Sequence, residues 1–370
     1  MRTTLTLSLL LGCVSAVWAC AIAYRPGSRM GINEEAALIV YDPQAKMQHF
    51  IRQANFNTDA AYFGFLVPTP SMPQLAEVGD SLFGGLQSFT LPETRTQVVW
   101  RDRSLFDWGV VRTTFAAGAL SDRATPKAVQ VVDQQKVAGL EATILRATDA
   151  EKLRDWLNQH GYEARPALTE WLKVYVDQGW YLTAFQYKKS NDKAPTFRSR
   201  AVRISFATDR PFYPYREPAD SRENAPAGPR TLRLFYATTD RVAGKLGTDG
   251  TWPGRTVWSA PLSNLQRERL QRDLTDPRPD AKLSATAVQL PETLWLTEFE
   301  DTASPRPGTD EVYFQKSDSQ DEVKRPAFIV NEYRERINPR EIIAVSVILG
   351  VMLLGVGFLT LRYLRSPAAS

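Results

Sequence analysis

The run from Ile342 to Leu361 constrains this chain more than any other stretch. Its twenty residues carry no charge. As an α-helix rising ~1.5 Å per residue they span about 30 Å, the thickness of a bilayer's hydrocarbon core. A helix satisfies its own backbone donors and acceptors in lipid, so the run is expected to cross a membrane rather than lie in a protein core. Arg362 and Arg365 come directly after it, within the tail Arg362–Ser370.

The other end indicates which side of the membrane the body occupies. Met1-Arg2 is a small positive segment and Leu5 to Val17 a short apolar one. Val17-Trp18-Ala19 fits a signal-peptidase site with cleavage before Cys20. The apolar part is short for a span, so a removed signal peptide is expected. The arginines flanking the span do not decide orientation, with Arg334, Arg336 and Arg340 before it and Arg362 and Arg365 after. The signal peptide does. The expected order is signal peptide 1–19, exported domain 20–325, membrane-proximal stalk 326–341, membrane helix 342–361 and cytoplasmic tail 362–370. The destination is a cell membrane, with the main domain in the periplasm or on the cell surface.

The charge balance changes once the ends are set aside. The chain has 45 Lys+Arg and 41 Asp+Glu, and Arg2, Arg362 and Arg365 lie outside residues 20–341. No acid lies in those ends, so the body carries 42 basic residues against 41 acidic, or +1. That is not the concentrated basic face of a nucleic-acid binder, and no nucleic-acid partner is expected. Lys188, Lys189, Lys193, Arg198, Arg200 and Arg203 read as a solvated loop leading into a strand. After cleavage one thiol remains, Cys20, which excludes an intramolecular disulfide. Lipid attachment there, or pairing between chains, stays open.

The body reads as mixed structure. Ala36 to Tyr41, a turn at Asp42-Pro43-Gln44 and Met47 to Ala54 form a hairpin pattern. Tyr62 to Val67, stopped by Pro68, Pro70 and Pro73, reads as a buried strand. Asp80 is the expected cap of a short helix with Leu82, Phe83 and Leu86 on one face. Thr148 to Glu151 reads as a capping box before a helix with Leu153, Trp156 and Leu157 inward and Gly161 as its stop. Pro166 opens a second helix, with Leu168, Trp171, Leu172, Tyr175 and Val176 on one face and Gly179 ending it. Strands are expected at Val129–Val132, Tyr181–Tyr187, Val202–Phe206 and Leu232–Ala237. The proline-rich stretch from Lys188 to Arg230 is expected to run over the surface. The fold class is α+β, a largely antiparallel sheet with a two-helix segment packed on it plus one C-terminal transmembrane helix.

Several blocks together resemble a known family. Asn33-Glu34-Glu35, Tyr62 to Pro70, Gly79-Asp80 with Leu82-Phe83, Val137 to Thr143, Trp156 to Tyr162, Ile204 to Phe206, Pro211 to Arg216 and Leu296 to Phe299 succeed one another over residues 33–316. The pattern is similar to an uncharacterised bacterial family, domain of unknown function 2330. The resemblance implies an exported bacterial protein and a continuous domain, with no catalytic residues to carry over.

The residues offer little chemistry of their own. His49, His160 and Cys20 stand in unrelated places, so no metal site and no cofactor are expected. There is no Gly-x-Ser-x-Gly elbow, Walker loop or dinucleotide fingerprint. Glu298, Glu300 and Asp301 read either as paired carboxylates or as a solvated strand end. The candidate binding surface is Arg210, Phe212, Tyr213, Tyr215 and Arg216, where rings beside arginines can stack on sugars, peptides or another protein. In the competing arrangement the same rings pin a proline-rich loop onto the sheet. The expected function is a membrane-tethered, extracytoplasmic binding or scaffolding module of the cell envelope, with an envelope protein as partner. The alternative is an exported hydrolase using carboxylates or a serine.

Overall fold

The computed structural model describes residues 22–23, 30–58, 62–103, 135–137, 139–162, 164–188, 196–198, 201–223, 230–275 and 287–364. The signal-peptide stretch, Cys20 and the expected strand Val129–Val132 lie outside these residues. The chain divides into two compact units, Met1–Leu91 with Val131–Arg325, and Pro92–Gln130 with Pro326–Ser370.

The first unit grows from the expected hairpin. Met30–Asp42 pairs antiparallel with Met47–Thr58. The Asp42 carboxylate closes the turn by accepting from the amides of Gln44 and Ala45 at 2.8 and 3.0 Å. Ala37 and Ile39 enter one core, Leu38 and Val40 another, so the Ala37–Val40 run is apolar without a break because both its faces are covered. Around it lies an eight-stranded sheet in the order Arg255–Pro261, Trp295–Asp301, Thr231–Thr238, Met30–Asp42, Met47–Thr58, Val202–Ala207 and Gln74–Glu77, with Thr196–Arg198 also on Met47–Thr58. All these pairs are antiparallel except Thr231–Thr238 with Met30–Asp42, which is parallel.

A second, five-stranded antiparallel sheet takes Tyr62–Thr69 and Tyr181–Lys188 as its central pair. Phe65, Val67 and Phe185 from it meet Ile39, Phe50 and Leu234 of the larger sheet in one core. Each sheet is backed by helices. Leu82–Phe89 and Asn264–Leu274 cover the far face of the large sheet through Leu82, Leu86, Leu270 and Leu274. Ala150–Gln159 and Pro166–Asp177 cover the small sheet, where Leu153, Leu157, Leu168 and Leu172 pack on Leu66, Leu182 and Ala184. The result is α+β, with the expected two-helix segment on a largely antiparallel sheet.

Local details differ from expectation in instructive ways. The helix Leu82–Phe89 starts after Ser81, not Asp80, with no side-chain cap bond. The helix at Ala150 is capped by Asp149, whose carboxylate accepts from Lys152 N at 2.9 Å, one residue later than the Thr148 box. An ionised acceptor outcompetes the neighbouring hydroxyl for that orphan amide. The strands Tyr181–Lys188 and Val202–Ala207, expected in one sheet, belong to different ones. Within the proline-rich stretch, the described residues do not all run over the surface either. Residues 201–206, 211–215, 217 and 218 are buried.

In the second unit, Phe328–Ile337 pairs in parallel with Thr94–Arg103 over its full length. The expected stalk is therefore largely a strand. Asn338 caps the helix Pro339–Leu364, its side chain accepting from Arg340 N at 3.0 Å, and Pro339 opens that helix at a position that needs no donor. Within it, Pro339–Leu361 is long and apolar enough to cross a membrane, and none of its apolar window is buried.

Candidate functional site

The stretch from Arg210 to Arg216 leaves the strand Val202–Ala207 through a tight bend, where Thr208 Oγ1 accepts from Arg210 N at 3.2 Å. Phe212–Tyr213 then pairs with Val312–Lys316 in a three-stranded sheet. Irregular buried backbone needs partners for its amides, and side chains from elsewhere supply them. Gln48 Oε1 accepts from Phe212 N at 2.9 Å, and Glu311 Oε2 from Tyr215 N at 2.7 Å. Pro211 and Pro214 have no amide to satisfy.

The three rings face inward, the arrangement in which they pin the proline-rich loop onto the sheet and not that of a solvent-facing platform. Phe212, Tyr213 and Tyr215 are at most 1% exposed. Phe212 lies among Trp180, Phe206 and Tyr313 at centroid distances of 5.2, 5.8 and 6.0 Å. Tyr213 meets Phe50 edge-on at 5.9 Å, and Tyr215 meets Trp252 at 6.3 Å. A long segment with little regular pairing is held by burying such rings, each worth several contacts. Arg210 and Arg216 reach solvent. Arg210 lies 3.5 Å above the Tyr313 ring and donates to Gly247 O at 3.0 Å. Arg216 pairs with Asp310 at 2.8 Å, and its carbonyl accepts from Trp171 Nε1 at 3.0 Å.

Beneath the rings lies a buried ionic cluster that the sequence did not reveal. Tyr213 donates to Glu35 Oε1 at 2.9 Å, and Tyr215 donates to Asp301 Oδ2 at 2.7 Å. Arg52 Nε stands 3.1 Å from Glu35 Oε1. Arg306, with a fully buried side chain, bridges the two carboxylates at 3.7 Å each, to Glu35 Oε2 and Asp301 Oδ2. Those separations exceed hydrogen-bond length, so the attraction is coulombic. Arg230 and Glu217 add a 2.8 Å pair beside it. Tyr175 and Glu311 form a further buried contact. Burial raises the carboxyls of Glu217 and Glu311 above their ordinary value, and burial and then the Asp301 charge raise the Tyr215 hydroxyl.

The other sequence candidates sit elsewhere. Glu298 and Glu300 alternate along their strand with Phe299 and Asp301, so the acidic trio is split between two faces. Glu298 is buried and paired with Arg325 at 2.9 Å and Arg233 at 3.3 Å, neither solvated nor free to act as a base. His49 is buried, with Nδ1 2.8 Å from Ser205 Oγ. Both side chains lie inside the sheet, which makes this a packing hydrogen bond and not a nucleophile open to substrate. His160 stacks on Trp156 at 3.8 Å and reaches the Trp156 carbonyl at 2.8 Å, a helix-end contact. Among the described residues no group of three or more His, Cys, Asp or Glu is placed to hold a metal.

Glu35, Arg52 and the three rings fall within the part of the chain that comparison recognises. Residues 14–260 match the family described as an uncharacterized protein conserved in bacteria (DUF2330). The chain belongs to this family. The DUF2330 match takes in Glu35, Arg52 and Arg210–Arg216, while Asp301, Arg306 and Glu311 come from the chain beyond it. No curated protein and no solved structure matches the chain. Sequence reading missed Arg306 because an arginine between Pro305 and Pro307 in a loop gives no local sign of burial.

Proposed function

We propose that this chain is a membrane-tethered, extracytoplasmic binding or scaffolding module of the bacterial cell envelope. The observation that carries the reading is the Pro339–Leu361 helix, 23 residues with no buried part in its apolar window, directly after a folded body. The signal-like N-terminus supports an exported body with Arg362–Ser370 left in the cytoplasm. Buried carboxylates here are held by arginines and tyrosine hydroxyls, an arrangement suited to fixing a fold. Recognition falls to the arginine rim of the candidate surface. Phe212, Tyr213 and Tyr215 hold Arg210 and Arg216 in place, and the two guanidiniums meet an envelope protein.

The sidedness is tested with single cysteines in a full chain lacking Cys13 and Cys20. Met72→Cys, at a residue 66% exposed, is expected to react with a membrane-impermeant maleimide when only the outer envelope is opened. Ser370→Cys is expected to react only after the inner membrane is lysed. The reverse labelling pattern contradicts the proposal.

A further inference from the structure

Among the described residues, the strands of the second unit form a two-stranded parallel ribbon with exposed apolar side chains. Parallel pairs occur almost only where both faces are buried, and a lone two-stranded sheet is marginal in water. The register places Val98 opposite Glu332, Trp100 opposite Arg334 and Asp102 opposite Arg336. Alternation then gathers Phe328, Val330, Val98 and Trp100 on one face, where they are 66, 41, 37 and 52% exposed. That face also carries Glu332 and Asp102, paired with Arg334 at 2.9 Å and Arg336 at 2.7 Å. Arg334 and Arg336 alternate onto the same face, so its charges cancel, with Glu332 opposite Val98 at mid-strand. A face made for anionic lipid would be cationic, whereas matched acids and arginines can exchange partners with an identical face.

The helix after the ribbon repeats the message. Ser346, Gly350, Leu353, Gly357 and Thr360 fall within about 80° of its circumference at 3.6 residues per turn, four small residues and one leucine. A Cβ added to Gly350 or Gly357 would meet nothing within 4 Å. Small residues on one stripe let two membrane helices approach closely.

We propose that the second unit is a self-association module, in which the Phe328/Val330/Val98/Trp100 face and the Ser346/Gly350/Gly357 stripe pack on the same elements of a second copy of this chain. The proposal rests on the membrane-tether reading. Two ribbons packed face to face about a two-fold axis along the strands send both chains toward the same bilayer, ending two residues before Pro339 in each. Confinement of both tethers to one membrane raises their effective concentration.

The test uses the full chain without Cys13 and Cys20, reconstituted in vesicles of phosphatidylethanolamine and phosphatidylglycerol. Val98→Cys is expected to give an oxidised dimer, and Gln97→Cys, one residue away on the opposite face, at least about tenfold less. Trp100→Glu combined with Gly350→Leu is expected to weaken self-association by about tenfold or more while the chain still floats with the vesicles. Equal crosslinking at 97 and 98, or a wild-type chain that floats but stays monomeric, overturns self-association and leaves the tether standing. Quenching of a Val98→Cys fluorophore by brominated lipid assigns the face to the bilayer and also overturns it. A chain that does not float overturns the tether, and this proposal with it.

Discussion

Replacing Arg306 by Met is expected to destabilise the first unit by about 3–5 kcal/mol, the usual effect of stripping one partner from buried ionic groups. The side chain is fully buried between Glu35 and Asp301, and both carboxylates stay behind when it goes. At an effective dielectric near 20, each contact of this length is worth about 4 kcal/mol before desolvation, so the loss is dominated by uncompensated charge. Tyr213 and Tyr215 would still donate to the two acids, which limits the damage. Denaturant unfolding of the full chain in detergent, followed by tryptophan fluorescence, measures the effect. Adding Asp301→Asn to Arg306→Met removes one stranded charge and should recover part of the loss. A loss below about 1 kcal/mol for the single variant would show that the cluster is not held by its central cation.

Acid should weaken the fold through His49. Burial, and then the charge of Arg203, lower its pKa to about 4, with Asp42 acting weakly the other way. In the unfolded chain the imidazole takes its proton near pH 6.5. Between those two values the unfolded state binds more protons than the folded one, so stability falls as the pH drops from about 6.5 to about 4. Above that window His49 makes no pH-dependent contribution. The difference between the two pKa values corresponds to about 3 kcal/mol at its full extent. Carboxylates titrate in the same range, so the measurement is the difference between wild type and His49→Gln across pH 7 to 4. Parallel stability curves for the two proteins would contradict a neutral buried imidazole.

What the sequence made legible was local. Period and punctuation marked the hairpin at Asp42 and the helix opened by Pro166 and stopped at Gly179, while the buried strand Tyr62–Thr69 runs through the Pro68 expected to stop it. Those signals act within a few residues, where backbone geometry and side-chain spacing decide. The ionic cluster joins residues that no window spans, such as Glu35 with Arg306 and Tyr215 with Asp301. The same holds for the parallel ribbon, because Thr94–Arg103 shows no apolar face strong enough to name Phe328–Ile337 as its partner. The aromatic stretch Phe212–Tyr215 stands out in sequence, yet its direction depends on Gln48 and Glu311, which accept from its amides from distant parts of the chain. Rings beside arginines look alike in sequence whether they line a core or a surface.

The central claim, an exported module that works by holding a partner, is tested most directly by crosslinking in intact cells. A photo-crosslinking residue replaces Arg210 in the full chain, with the same residue at Met72 as the exposed control. One dominant adduct with an envelope protein is expected from position 210, near one to one, and at least about tenfold less from position 72. No adduct from position 210, or equal adducts from both positions, would contradict it.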